Sequence, residues 1–249
     1  RIGYANNPLA WRFTHRVPHR WGDGTHEVER HVELLSPFLN GRVAVAEPKL
    51  YPGPSHVAEA DTVQARDAVL VMPGSQWATK AWPEGQFAKF LAQTDQRVVL
   101  TGAPNEHALC ARLAEGHVHV TNAAGALSLL GLVAAVDMAR AVVVNDSAPL
   151  HVASATDTPT VALFASTVPR FGFGPRASQN VVVEAHSELP CRPCGMRGRK
   201  RCPEGHCKCG WGNTKNTSRY TCCISSRHGF CRFCHGHRRI FCYSRRSCG

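Results

Sequence analysis

Short runs of β-branched and aliphatic residues, each cut off by a polar turn and followed by helical spacing, constrain this chain more than any other feature. The runs are Val69–Met72, 97–102, 141–144, Thr160–Phe164 and 181–184, with a weaker one over 117–121. Runs this apolar suit strands buried on both faces, as central parallel strands are. Between them Phe87, Phe90 and Leu91 keep the i, i+3, i+4 spacing of a helix, Leu109 and Leu113, with Ala114 next to them, stand one helical turn apart, and 127–138 reads as another helix. The alternation predicts an α/β fold with a parallel sheet and right-handed crossovers. Ligands of such sheets bind beyond the carboxyl ends of the strands. The turns at Gly74-Ser75, 102–106 and Asp146-Ser147 all fall on that edge.

The stretch Val-Val-Val-Asn-Asp-Ser-Ala-Pro-Leu-His-Val-Ala-Ser over 142–154 is the most specific of these. It reads as a buried strand, a tight turn and the first turn of a helix. Asn145, Asp146 and Ser147 are turn and cap residues, and Pro149 suits a helix start, where its missing N–H is no loss. Free backbone N–H groups and the positive end of a helix dipole then meet beside Asp146 and His151. That combination points to an anionic, nucleotide-like ligand.

The segment Pro73-Gly-Ser-Gln-Trp-Ala-Thr-Lys-Ala-Trp-Pro83, together with Asp146-Ser-Ala-Pro-Leu-His151, resembles the bacterial lipopolysaccharide heptosyltransferases of glycosyltransferase family nine. Arg1-Ile-Gly-Tyr4, Leu9, Thr14-His-Arg-Val-Pro18 and His26-Glu-Val-Glu-Arg30 are similar to the middle of that family's acceptor half. The resemblance runs to Cys209. It implies a GT-B architecture with two Rossmann-like halves. A remnant of the acceptor half is expected over 1–47, a Pro- and Ala-rich linker over 48–68, and the half that binds the nucleotide-sugar donor over 69–190. It also implies transfer of heptose from ADP-heptose to the lipopolysaccharide inner core, with inversion. The enzyme would be cytoplasmic, in peripheral contact with the inner-membrane surface that presents the core acceptor.

The same resemblance distributes the roles. Lys80 would offset charge on the departing ADP, and Asp146 would hold hydroxyls of the donor heptose. Ser75 and Thr79 would donate to the pyrophosphate, Glu106 would accept from the ribose, and His151 would bond a phosphate. Ser147 and Ala148, at the helix start, complete the donor set. Trp77 and Trp82 read as packing. No cofactor is required, because no carboxylate pair is suited to hold a divalent ion there. The family's opening strand and glycine-rich loop, with the aspartate that serves as general base, are not recognisable in this sequence. The chain as given is therefore expected to bind donor weakly and to transfer nothing.

Two segments stand apart. Over 191–209, Cys191-x2-Cys194, Cys202-x3-His206 and Cys209 have spacings compatible with a tetrahedral thiolate zinc site. Reduced, unpaired thiols are the alternative, and a cytosolic setting disfavours disulfides. Over 210–249 there are eight Lys or Arg, no Asp or Glu, and six of the twelve cysteines. Almost no aliphatic residue is present to form a core, so this tail is expected to be disordered or read out of frame. It carries most of the formal charge of +11, which weakens the case for nucleic acid as a partner. A Cys/His-rich nucleic-acid-binding protein is the rival from another class. A different nucleotide-sugar transferase or epimerase is the rival within the same architecture.

Overall fold

In a computed structural model, residues 1–39, 45, 47–185 and 189–211 are described. The basic tail beyond 211, with the expectation attached to it, lies outside the described residues. The chain divides into two units: Arg1–Pro48 with Pro169–Gly174, and Lys49–Val168 with the residues from Pro175 onward.

In the first unit β1 (Ile2–Tyr4) and β2 (His15–Val17) form a parallel pair. Helix α1 (Glu27–Glu33) starts at His26, whose ring accepts from the Val28 N–H at 3.2 Å while Glu29 accepts from the His26 N–H. Both interactions satisfy donors that a helix start leaves open. Arg30 is completely buried. Its Nε donates to Glu27 at 2.6 Å, Nη1 donates to the carbonyls of Arg20 and Thr25, and Nη2 donates to the carbonyl of Phe171. Trp21 covers the guanidinium at 4.8 Å. A buried cation is tolerable only with partners of this number. Arg30 thus organises the unit, a role its place in the helical pattern does not reveal.

The second unit is a six-stranded parallel sheet with helices on both faces. In chain order it comprises α2 (Pro54–Thr62), β3 (Val69–Met72), α3 (Glu84–Gln93), β4 (Val98–Leu100), α4 (His107–Ala114), β5 (Val120–Asn122) and α5 (Leu129–Met138). It continues through β6 (Ala141–Asn145), α6 (Ala148–Thr156), β7 (Thr160–Phe164), β8 (Asn180–Glu184) and α7 (Lys208–Trp211). The strand order is β5-β4-β3-β6-β7-β8. Successive side chains alternate between two cores, as strand geometry requires. Leu70, Met72, Val142, Val144, Ala162 and Phe164 face one, with Ala60, Val133 and Leu150. Val69, Val71, Val143, Val161, Leu163 and Val181 face the other, with Phe87, Leu91 and Leu113.

The segment 48–68 differs from the expected linker. It holds α2, begun by Gly53 and Pro54, with Ala60, Val63, Ala65 and Ala68 buried beyond it or within it. Small side chains pack this helix against α5, so it buries a face without an apolar stripe that spacing would show. Glu59 anchors it by accepting from the Ser128 hydroxyl at 2.7 Å, and that hydroxyl in turn caps α5 through the Gly131 N–H.

Candidate donor site

The strand order reverses between β3 and β6, which makes the crevice at their carboxyl ends the place where doubly wound sheets take ligands. The turns after β3, β4 and β6 bring the expected residues to that edge. Lys80 Nζ lies 2.7 Å from Asp146 Oδ2, with the two side chains 14% and 5% exposed. The Thr167 hydroxyl donates to the same oxygen at 2.5 Å. Asp146 therefore has one oxygen committed to Lys80 and Thr167. Two residues from distant segments, singled out separately in the sequence, form one ion pair.

Asn145, at the end of β6, is the residue that joins these turns. It is fully buried. Its amide nitrogen donates to the carbonyls of Pro73 at 2.9 Å and Gly74 at 3.1 Å, and its oxygen accepts from the Trp82 N–H at 2.9 Å. Both ends of the loop that carries Ser75, Thr79 and Lys80 are thereby tied to the strand that carries Asp146. Trp82 is buried and meets Phe87 edge to face at 5.0 Å, the packing role expected of it. Ser75 is half-buried in the turn after β3.

Helix α6 starts at Ser147, whose side chain makes no capping bond to the helix. Its hydroxyl reaches back to the Asn145 carbonyl at 3.4 Å instead. Ala148 and Pro149 follow, so the first turn presents backbone N–H groups uncovered by any cap side chain. His151 is on the same first turns and open to solvent on one side. Desolvation by its neighbours pushes its pKa down; Asp146 opposes this and Lys80 adds to it. A neutral imidazole results at pH 7.

Glu106 sits where β3 and β4 end. Its Oε2 accepts from the Ala103 N–H at 2.8 Å. A Cβ on Gly74 would stand 1.6 Å from its Oε1, and one on Gly102 2.4 Å from its Oε2. The two glycines therefore make the room in which this carboxylate lies.

Thr79 faces a segment that the sequence assigned to metal. Its N–H and hydroxyl both donate to the Arg199 carbonyl at 3.1 Å. The Arg199 N–H donates to the Thr79 hydroxyl at 2.7 Å, and Ser166 donates to the same hydroxyl at 3.0 Å. Ser166 and Thr167 follow β7, so the carboxyl-edge rule that located the other turns also reaches them. The zinc expectation rests on Cys191, Cys194, Cys202 and Cys209, which the structure brings near one another. Among the described residues no three His, Cys, Asp or Glu side chains are placed to hold a metal ion. Cys194 donates to the Cys191 carbonyl at 3.2 Å, and Cys191 contacts His206 Nε2 at 3.7 Å. Cys194 also interacts with Cys191 and Cys202, and Cys209 with Cys194, Cys202 and Cys207, so the thiols lie near one another.

Comparison with known proteins identifies the family. The model of glycosyltransferase family 9 (heptosyltransferase) matches residues 1–203. Lipopolysaccharide heptosyltransferase 1 of Pseudomonas aeruginosa is 35% identical over 205 residues, covering 76% of this chain and 53% of that protein. Lipopolysaccharide heptosyltransferase 3 of Escherichia coli K12 is 31% identical over 172 residues, covering 62% and 47%. The chain thus spans about half the length of the curated relatives it matches. Among solved structures, the Escherichia coli heptosyltransferase WaaC with ADP superposes with a TM-score of 0.57 at 24% identity, over 72% of this chain and 56% of that one. The family 9 glycosyltransferase from Veillonella parvula gives 0.60 at 20% identity, over 73% and 55%. Matched by the family model over most of its length, the chain belongs to glycosyltransferase family 9, the heptosyltransferases.

Proposed function

We propose that the second unit is the donor half of a heptosyltransferase that moves heptose from ADP-heptose to the lipopolysaccharide inner core, inverting the anomeric carbon. The observation that carries this reading is the Lys80–Asp146 pair, held at the sheet's switch point beside an uncapped helix start. The diphosphate would lie against Lys80 and the N–H groups that open α6. There the charge that grows on the leaving ADP meets a cation and a helix dipole already in place, the kind of preorganisation that counts most in catalysis. Ser75, and the Ser147 and Ala148 N–H groups, would complete the contacts to the phosphates.

Thr167 and Lys80 fix one oxygen of Asp146, which leaves Oδ1 to accept from sugar hydroxyls. Neutral His151 would bond a phosphate oxygen without adding charge. Glu106, held by the Ala103 N–H, would accept from the ribose hydroxyls. Thr79, by contrast, has its hydroxyl occupied by Arg199 and Ser166. We therefore assign it to holding the loop rather than to touching the pyrophosphate. The acceptor would be presented at the cytoplasmic face of the inner membrane, with the enzyme resting on it peripherally. No helix among the described residues is long and apolar enough to cross a membrane.

The test is transfer by a chimera in which the Pseudomonas aeruginosa relative supplies the rest of the enzyme. With ADP-heptose and a deep-core acceptor, Lys80→Ala should lower turnover by about 10²-fold or more, as loss of one charged transition-state contact does. Near-normal turnover would remove Lys80 from the chemistry.

A further inference from the structure

The donor site, as built from the residues above, is short of positive charge. Lys80 is committed to Asp146 at 2.7 Å, so the pair is neutral. Glu106 adds a second carboxylate, and the helix end offers only about half a charge. A sugar nucleotide brings a negative charge on each of its two phosphates. Something else must balance them.

The chain that clamps Thr79 carries that charge. Arg197, Arg199, Lys200 and Arg201 fall within five consecutive positions. Their backbone is held against the donor loop by the reciprocal Thr79–Arg199 hydrogen bonds. It is also pressed on the stem of Lys80: a Cβ on Gly198 would stand 2.9 Å from Lys80 Cγ, and Gly198 has φ +78°. Upstream, Arg192 fastens the segment to the end of β7 by donating to the carbonyls of Ala165 and Thr167, each at 2.7 Å. Cys194 N–H donates to the Ser166 carbonyl at 2.9 Å. Downstream, Gly210 lies against Pro83. The run is thus a strap fixed at several points beside Lys80.

Arg199 turns its Nε back to the Cys194 carbonyl at 2.9 Å. Arg197, Lys200 and Arg201 are exposed, and among the described residues nothing pairs with them. Cations crowded this closely repel one another unless an anion lies among them. The backbone that carries them touches Lys80, and charges at physiological salt act on one another over about 8 Å.

We propose that the strap 197–201 is the cationic wall of the donor diphosphate site. Arg197, Lys200 and Arg201 engage the phosphates, and Arg199 positions the wall on Thr79. The proposal deepens the donor-site reading and rests on it. Its test is calorimetric titration of the whole chain 1–249 with ADP and with adenosine, at low and at physiological salt. The proteins compared are the parent, the triple variant Arg197→Ala, Lys200→Ala, Arg201→Ala, and Arg197→Lys with Arg201→Lys.

The triple variant should bind ADP about tenfold or more weakly, because charge-assisted contacts are lost. It should bind adenosine as the parent does, with a shallower salt dependence for ADP, while the Arg→Lys variant keeps most of the affinity. A parent that binds ADP and a triple variant within about twofold of it would overturn the proposal. So would an equal loss for ADP and adenosine, which would mean a change of fold rather than of charge. A parent that does not bind ADP would overturn the donor-site reading itself.

Discussion

Lys80, Asp146 and His151 form a cluster in which the charges of Lys80 and Asp146 both act on His151. Lys80 and Asp146 neutralise each other at 2.7 Å, and His151 stays neutral because its surroundings desolvate it. The pH consequence has a definite sign. A histidine whose folded pKa lies below its unfolded value leaves the folded state binding fewer protons around pH 6.5. Stability then rises with pH through that window and falls as the protein is acidified from 7 toward 5.5. His151→Asn should lose less of its melting temperature between pH 7.5 and 5.5 than the parent does; an equal drop in both proteins would mean that His151 does not contribute. The identities of these three residues were readable from short motifs, because turn chemistry leaves a local signature. Their pairing was not, since it joins positions 66 residues apart in the chain. Arg30 was hidden for a related reason: its partners include backbone carbonyls at Arg20, Thr25 and Phe171, and carbonyls leave no mark in a sequence.

At the scale of elements, the strand ends matter more than the strands. Asn145 makes three hydrogen bonds, two of them buried, that tie the loop 73–82 to β6. Asn145→Ala leaves two carbonyls and one N–H without their partner, so it should destabilise the unit by about 1–3 kcal/mol. Urea unfolding would measure this, and ADP affinity should fall with it as the loop loosens. A change under about 0.5 kcal/mol would mean that the loop is held by other contacts. Central elements were legible in the sequence almost to the residue: β3 and β7 run over Val69–Met72 and Thr160–Phe164 as the apolar runs do. Strands buried on both faces must be continuously apolar, which is a strong local signal. Helix α2 is not legible because the one residue it fully buries is Ala60, and alanine contributes too little apolar contrast to show a face. The edge strand β5 fell at Val120–Asn122 rather than over 117–121, since a half-exposed strand is weakly specified.

At the scale of the whole molecule, the family and the sheet order account for where the site lies, and the Cys-rich segment accounts for what is distinctive about it. Spacing alone suggested that 191–209 gathers a metal. In the structure its thiols lie near one another and its backbone braces Thr79 and Lys80. Cysteine spacing is conspicuous in a sequence, whereas a backbone clamp leaves no mark there. The central claim is that the second unit is built around an adenosine diphosphate. Titration of the chain with ADP, UDP and GDP under identical conditions tests it most directly. ADP should bind, and at least about tenfold more tightly than UDP or GDP. No binding of ADP, or tighter binding of UDP, would contradict the account.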